Sequence, residues 1–188
     1  MLDNMNILLG VTGGVAAYKA VDLASKLTCA GAKVKTVMTE SACRLVAPKS
    51  FEAVTQSAVF TTMWSTPEEH QISHIALIDW ADVMVVAPAT ANILGKIAHG
   101  ICDDMLSTTL CSCWPLVKSG MVLLVPAMNN NMWVNPAVQH NVKTLDERGF
   151  QFIGPAEGRL ACGTEGIGRM SEPQDIINAI EKIASNIT

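Results

Sequence analysis

Charge is scarce in this chain. Of its 188 residues only 16% are charged and 5% aromatic, with a single tyrosine, against 49% apolar residues. The net charge is −4 and no basic run occurs anywhere, which excludes a general nucleic-acid surface. No stretch reaches the ~18 unbroken apolar residues of a membrane span, and the N-terminus lacks a basic segment followed by a long apolar one. A soluble, cytoplasmic protein without a membrane partner is expected. Six cysteines are present, at 29, 43, 102, 111, 113 and 162, but Cys111-x-Cys113 has no second pair at zinc spacing and the four histidines are scattered. No metal site is expected. The chain is too large and too apolar to need disulfide staples, so most of the cysteines read as small buried hydrophobes. So apolar a composition implies a large core, together with apolar surface buried against further copies of the chain.

Short apolar runs alternate with helical patterns along the whole length. Strands are predicted at 6–10, 33–38, 82–87, 121–125 and 150–153, with helices over 15–30, 91–99, 103–113 and 136–148. The runs at 82–87 and 121–125 are apolar on both faces, as buried parallel strands require. Asn135-Pro136 supplies an N-cap followed by proline at the first helical position. Ser171-Glu-Pro-Gln174 reads as a capping box opening a last helix, whose Ile176, Ile177, Ile180 and Ile183 form one face. The alternation specifies an α/β fold: a three-layer, doubly wound parallel sheet, Rossmann-like or flavodoxin-like, in one domain over 1–188.

Three predicted strand ends carry ligand-ready residues. Gly10-Val-Thr-Gly13-Gly14-Val15 is a glycine turn running into a helix, where backbone amides hold a phosphate or simply make a tight turn. Thr39-Glu-Ser41 follows the second strand: Glu40 suits the ribose of a dinucleotide, while the two hydroxyls suit a mononucleotide phosphate. Ala87-Pro-Ala-Thr90-Ala91-Asn92 offers small residues for a flat ring and two directional polar groups, either of which also suits a helix cap. Later come two stretches with no regular pattern: Pro126-Ala-Met-Asn129-Asn-Asn-Met-Trp133, and Leu160-Ala-Cys162-Gly163 with Gly166-Ile-Gly168-Arg-Met170. The glycines there suit neither a good helix nor a good strand. Irregular backbone bearing amides and a thiol among small residues is where binding and catalysis concentrate. His74 lies between apolar neighbours, a setting that more often holds a satisfied core residue than a base.

Together Gly13-Gly-Val-Ala-Ala-Tyr-Lys19, His74-Ile-Ala-Leu77, Trp80-Ala-Asp82, Ala87-Pro-Ala-Thr-Ala-Asn92, Pro126-Ala-Met-Asn129 and Ala161-Cys-Gly163 resemble the homo-oligomeric flavin-containing cysteine decarboxylases over nearly the whole chain. The resemblance implies FMN as cofactor. Gly13, Gly14, Val15, Thr39 and Ser41 would surround its phosphate and ribityl chain, with Thr90, Ala91, Asn92, Ile93 and Ala127 near the flavin. Ile93 departs from the family, which often has threonine there. His74 would be the catalytic base and Cys162 the proton donor, while Asn129, Arg159, Ala161 and Met170 would bind substrate, the last three on a flap around 156–170. The implied substrate is a phosphorylated cysteine conjugate, 4'-phosphopantothenoylcysteine. It would be decarboxylated to 4'-phosphopantetheine in coenzyme A biosynthesis through thioaldehyde and enethiol intermediates. A homotrimer, or a multiple of trimers, is implied, with each flavin at a subunit boundary. No ligase domain is expected on this chain. The alternatives are a peptidyl-cysteine decarboxylase, which has no need of Cys162, a flavin prenyltransferase, a non-enzymatic phosphatase-regulatory relative, and, most distant, an NAD-binding domain.

Overall fold

In the computed structural model of the chain, residues 2–64, 74–159, 161 and 163–185 are described. Six parallel strands form one sheet: β1 (Asn6–Val11), β2 (Lys33–Met38), β3 (Val59–Phe60), β4 (Val83–Ala89), β5 (Val122–Pro126) and β6 (Gln151–Phe152). Their spatial order is β3-β2-β1-β4-β5-β6, the order of a Rossmann sheet, with the winding direction reversing between β1 and β4. Each central strand is buried on both faces. In β4, Val83, Val85 and Ala87 enter one apolar cluster, while Met84, Val86 and Ala89 enter the other. The first cluster is closed by α1 (Ala17–Cys29), α3 (Pro48–Thr55) and α10 (Pro173–Ala184). The second is closed by α4 (His74–Trp80), α5 (Ala91–His99), α6 (Met105–Ser112), α7 (Trp114–Lys118) and α9 (Pro136–Glu147). Single turns α2 (Glu40–Cys43) and α8 (Asn130–Trp133) follow β2 and β5. No helix among the described residues is long and apolar enough to cross a membrane.

The alternating pattern anticipates the central sheet, and several local expectations need correction. The glycine-rich stretch after 155 is regular: β7 (Ala156–Arg159) and β8 (Glu165–Arg169) pair as an antiparallel hairpin. The glycines of β8, Gly166 and Gly168, answer to close approach rather than to the absence of a strand. The Met128 amide donates to the Gly168 carbonyl at 2.9 Å, and a Cβ on Gly168 would lie 2.1 Å from the Met128 carbonyl oxygen. The capping box at Ser171 does not form. Ser171 is buried, the N-cap of α10 is Glu172, and no side-chain cap bond is made. The predicted helix 103–113 ends at Ser112 and a short helix follows, with Pro115 in its first turn, where a missing N–H costs nothing. β3, α3 and α4 carry no pattern strong enough to have been read from sequence.

The cysteines also differ from expectation. Of the five described, Cys113 is buried and Cys43 partly so, while Cys29, Cys102 and Cys111 are exposed. Cys113 follows the apolar face of α6, and burial pushes its thiol up to about 12. The other three stand at a helix end, in a loop and on an outward helix face, where residue type alone does not report burial.

Candidate functional site

The site is built at the reversal point of the sheet. After β1 the chain turns through Gly13 and Gly14 into α1, whose N-terminus receives no side-chain cap. A Cβ on Gly13 would stand 2.3 Å from that of Ser41, so only glycine lets the β1 and β2 loops touch. Thr12, buried, ties this turn to the end of β4: its hydroxyl donates to the Pro88 carbonyl at 2.6 Å and accepts from the Thr90 amide at 3.2 Å. The β4–β5 ladder shifts register between Val86 and Ala89, where Pro88 has no N–H to give. The three strand ends are therefore held together by polar bonds and close backbone contacts.

A cavity of about 870 Å³ opens there, within the range of small-molecule sites. Its walls include Gly13, Gly14, Val15, Thr90, Ala127, Asn129, Arg159, Ala161 and Met170, all singled out from sequence. Tyr18, Lys19, Met128, Met132, Gly168 and Arg169 join them. The cavity thus brings together two stretches thirty residues apart. Beyond the Met128–Gly168 bond, the Ile167 amide donates to Asn130 Oδ1 at 3.3 Å, clasping the hairpin to the asparagine turn. Met170 borders the cavity but is only 1% exposed, rooting the hairpin in the core beside α10.

Several residues have a local structural task as well. Thr39 Oγ1 accepts from the Ala42 amide at 3.2 Å, Thr90 Oγ1 from Ile93 at a long 3.5 Å, and Asn129 Oδ1 from Asn131 at 2.8 Å. Each is an N-cap, and each stands at the carboxyl end of a strand because a helical turn begins there. Thr39, Ser41, Ala91, Asn92 and Ile93 do not line the cavity, and Ile93 is buried with its side chain in the second core cluster. His74, half-buried at the start of α4, does not line it either. Cys162 lies outside the described residues.

Lys19, Arg169 and Glu172 were missed. Lys19 Nζ donates to Glu172 Oε1 at 2.9 Å, and Arg169 Nη2 donates to the same oxygen. The Lys19 ammonium foremost, then the Arg169 guanidinium, holds the Glu172 carboxyl below its ordinary value. The pattern Ser-Glu-Pro directed attention to capping, although an acid three residues after Arg169 also signals an ion pair.

The residues fit a flavin mononucleotide. An uncapped helix N-terminus meets a glycine cradle suited to a phosphate, and apolar walls at Val15, Ala127 and Met128 suit a ring system. Asn129, Lys19 and Arg169 add polar side chains to the same cavity wall.

Residues 1–185 match the Flavoprotein family. The chain is 50% identical over 182 residues to the coenzyme A biosynthesis bifunctional protein CoaBC of Bacillus subtilis, covering 97% of this chain and 44% of that protein. It thus spans a little under half the length of the curated relatives it matches. Among solved structures, a PPC decarboxylase mutant complexed with pantothenoylaminoethenethiol superposes with a TM-score of 0.84 at 34% identity, covering 97% of this chain and 99% of that one. The FMN binding protein AtHal3 superposes with a TM-score of 0.80, also at 34% identity, covering 97% and 98%. With this sheet order, a glycine turn at its reversal point and a match over 185 residues, the chain belongs to the Flavoprotein family.

Proposed function

We propose that this domain binds FMN and decarboxylates 4'-phosphopantothenoylcysteine to 4'-phosphopantetheine, a step of coenzyme A biosynthesis. The observation that carries this reading is the single cavity that joins the α1 glycine turn to the Asn129 turn and the 156–170 hairpin. The cofactor, the substrate and the step in the pathway are supported by the likeness to CoaBC, to a PPC decarboxylase and to an FMN binding protein.

An α-amido carboxylate does not lose CO2 easily, because the electrons left behind have nowhere to go. When bound, FMN would supply the two-electron redox chemistry that links the substrate CH2–SH to a thioaldehyde. The protein's own groups do the rest. His74 takes the proton in the first half, for which a histidine near neutral pH is suited. Asn129 holds the carboxylate and amide region, Arg159, Ala161 and Met170 clamp over the substrate, and Cys162 gives a proton to the enethiol(ate) left after CO2 departs. Gly13, Gly14 and Val15 take the cofactor phosphate, with Thr39 and Ser41 behind them. Thr90 and Ala127 flank its ring, with Ala91, Asn92 and Ile93 next to Thr90 at the start of α5. The 156–170 hairpin is the flap that covers the substrate.

His74 stands outside the cavity of its own chain, which supports a site completed by a neighbouring copy in a trimer or multiple of trimers. Val15 and Tyr18, 65% and 63% exposed at the cavity, offer such a copy apolar surface. A cytoplasmic setting accords with this chemistry.

Product analysis by mass spectrometry tests the reading. Protein reconstituted with FMN should be yellow, release CO2 from 4'-phosphopantothenoylcysteine and yield 4'-phosphopantetheine. The variant Cys162→Ser should still release CO2 but accumulate a product two hydrogens lighter. Tightly bound NAD, or turnover of a peptide ending in cysteine but not of the small molecule, would sink the proposal.

A further inference from the structure

The cavity carries more positive charge than the chemistry above uses. Lys19 on α1 and Arg169 on β8 both border it, and Glu172 at the start of α10 bridges the two through one carboxylate oxygen. Glu172 makes no cap bond to its own helix, so its carboxylate serves these cations instead. The Lys19 side chain is only 16% exposed, and an ammonium that far from water needs a partner. Arg169 and Glu172 are 42% and 45% exposed. A half-exposed pair of this kind is worth no more than about a factor of five in an equilibrium. A phosphate dianion brings more charge and three acceptor oxygens to the same place. Magnitude therefore favours exchange over a permanent bond.

We propose that Glu172 is an exchangeable counter-ion: it neutralises Lys19 and Arg169 in the absence of substrate, and the phosphate end of the substrate displaces it and takes both cations. This rests on the phosphorylated substrate proposed above. It gives that phosphate a subsite of its own, distinct from the glycine turn at α1. An uncharged ligand end would leave both cations without a use.

Calorimetric binding of 4'-phosphopantetheine and of pantetheine to the FMN-loaded protein tests it. The wild type should bind the phosphorylated form more tightly, and Lys19→Met or Arg169→Gln should each shrink that preference by about tenfold, as loss of one charge-assisted contact does. Glu172→Gln should tighten the phosphorylated ligand by about threefold, the reverse of what loss of a merely structural ion pair does, and Glu172→Asp should restore wild-type binding. Weakening of both ligands alike by Glu172→Gln, or an undiminished preference in Lys19→Met, overturns the proposal. Carbon dioxide release, measured in parallel, separates the two levels. A wild type that turns over phosphorylated and unphosphorylated substrate equally removes the subsite and leaves the decarboxylase, whereas a wild type that releases carbon dioxide from neither substrate removes both.

Discussion

Thr36 shows how little a single residue's sequence context says about its cost. It sits mid-strand in β2, fully buried, and among the described residues its hydroxyl has no hydrogen-bond partner. An unpaired buried hydroxyl is destabilising, and valine keeps the shape without it. Thr36→Val should raise stability by about 1 kcal/mol, read as a higher urea midpoint at unchanged slope. Thr12 is the opposite case: buried too, but with both its donor and its acceptor used, it stitches β1 to β4 beneath the cavity. Both are threonines on or just after central strands, and only the surroundings separate a liability from a clasp.

At the scale of elements, the caps at Thr90 and Asn135 start helices where the sequence announces them, whereas Thr39 and Asn129 cap single turns that no sequence pattern announced. The β7–β8 hairpin is different, since its place depends on backbone contact with a turn some forty residues earlier. At Gly168, with φ +152° and the Met128 oxygen in the way, a methyl group has no room. Gly168→Ala should cost about 1–3 kcal/mol through overpacking and should undock the hairpin. Amide hydrogen exchange should then show the Met128 amide losing protection while amides of β1 keep theirs. Equal loss across the sheet, or none at Met128, would contradict the docking role.

The whole molecule joins α1 to the consecutive elements β8 and α10 through Lys19, Arg169 and Glu172, with 153 residues between Lys19 and Glu172. Lys19 first, then Arg169, lowers the Glu172 carboxyl below its ordinary 4.5. A carboxyl lowered in the folded state contributes its stability fully above the unfolded value and loses it as pH falls through the folded one. Thermal melts of the wild type and Glu172→Gln should therefore differ at neutral pH. The two should converge on acidification below 4.5. A gap that persists in acid would mean that charge is not what Glu172 contributes.

Period and punctuation along the chain sufficed for the doubly wound class, because strands buried on both faces must be apolar throughout and helices between them must be amphipathic. The glycine turn at Gly13 and the polar strand ends at Thr90 and Asn129 were legible for the same local reason: turn and cap chemistry acts over a few residues. The hairpin's strand character was not, since the glycines of β8 answer to Met128 and Asn130 rather than to their neighbours in sequence. Nor was the exposure of Cys29, Cys102 and Cys111, or the sharing of Glu172 between Lys19 and Arg169. Local sequence decides what each segment is able to form. Which segments close one cavity, and which charges share it, is decided by long-range packing, where partners are set by distance in space and not along the chain.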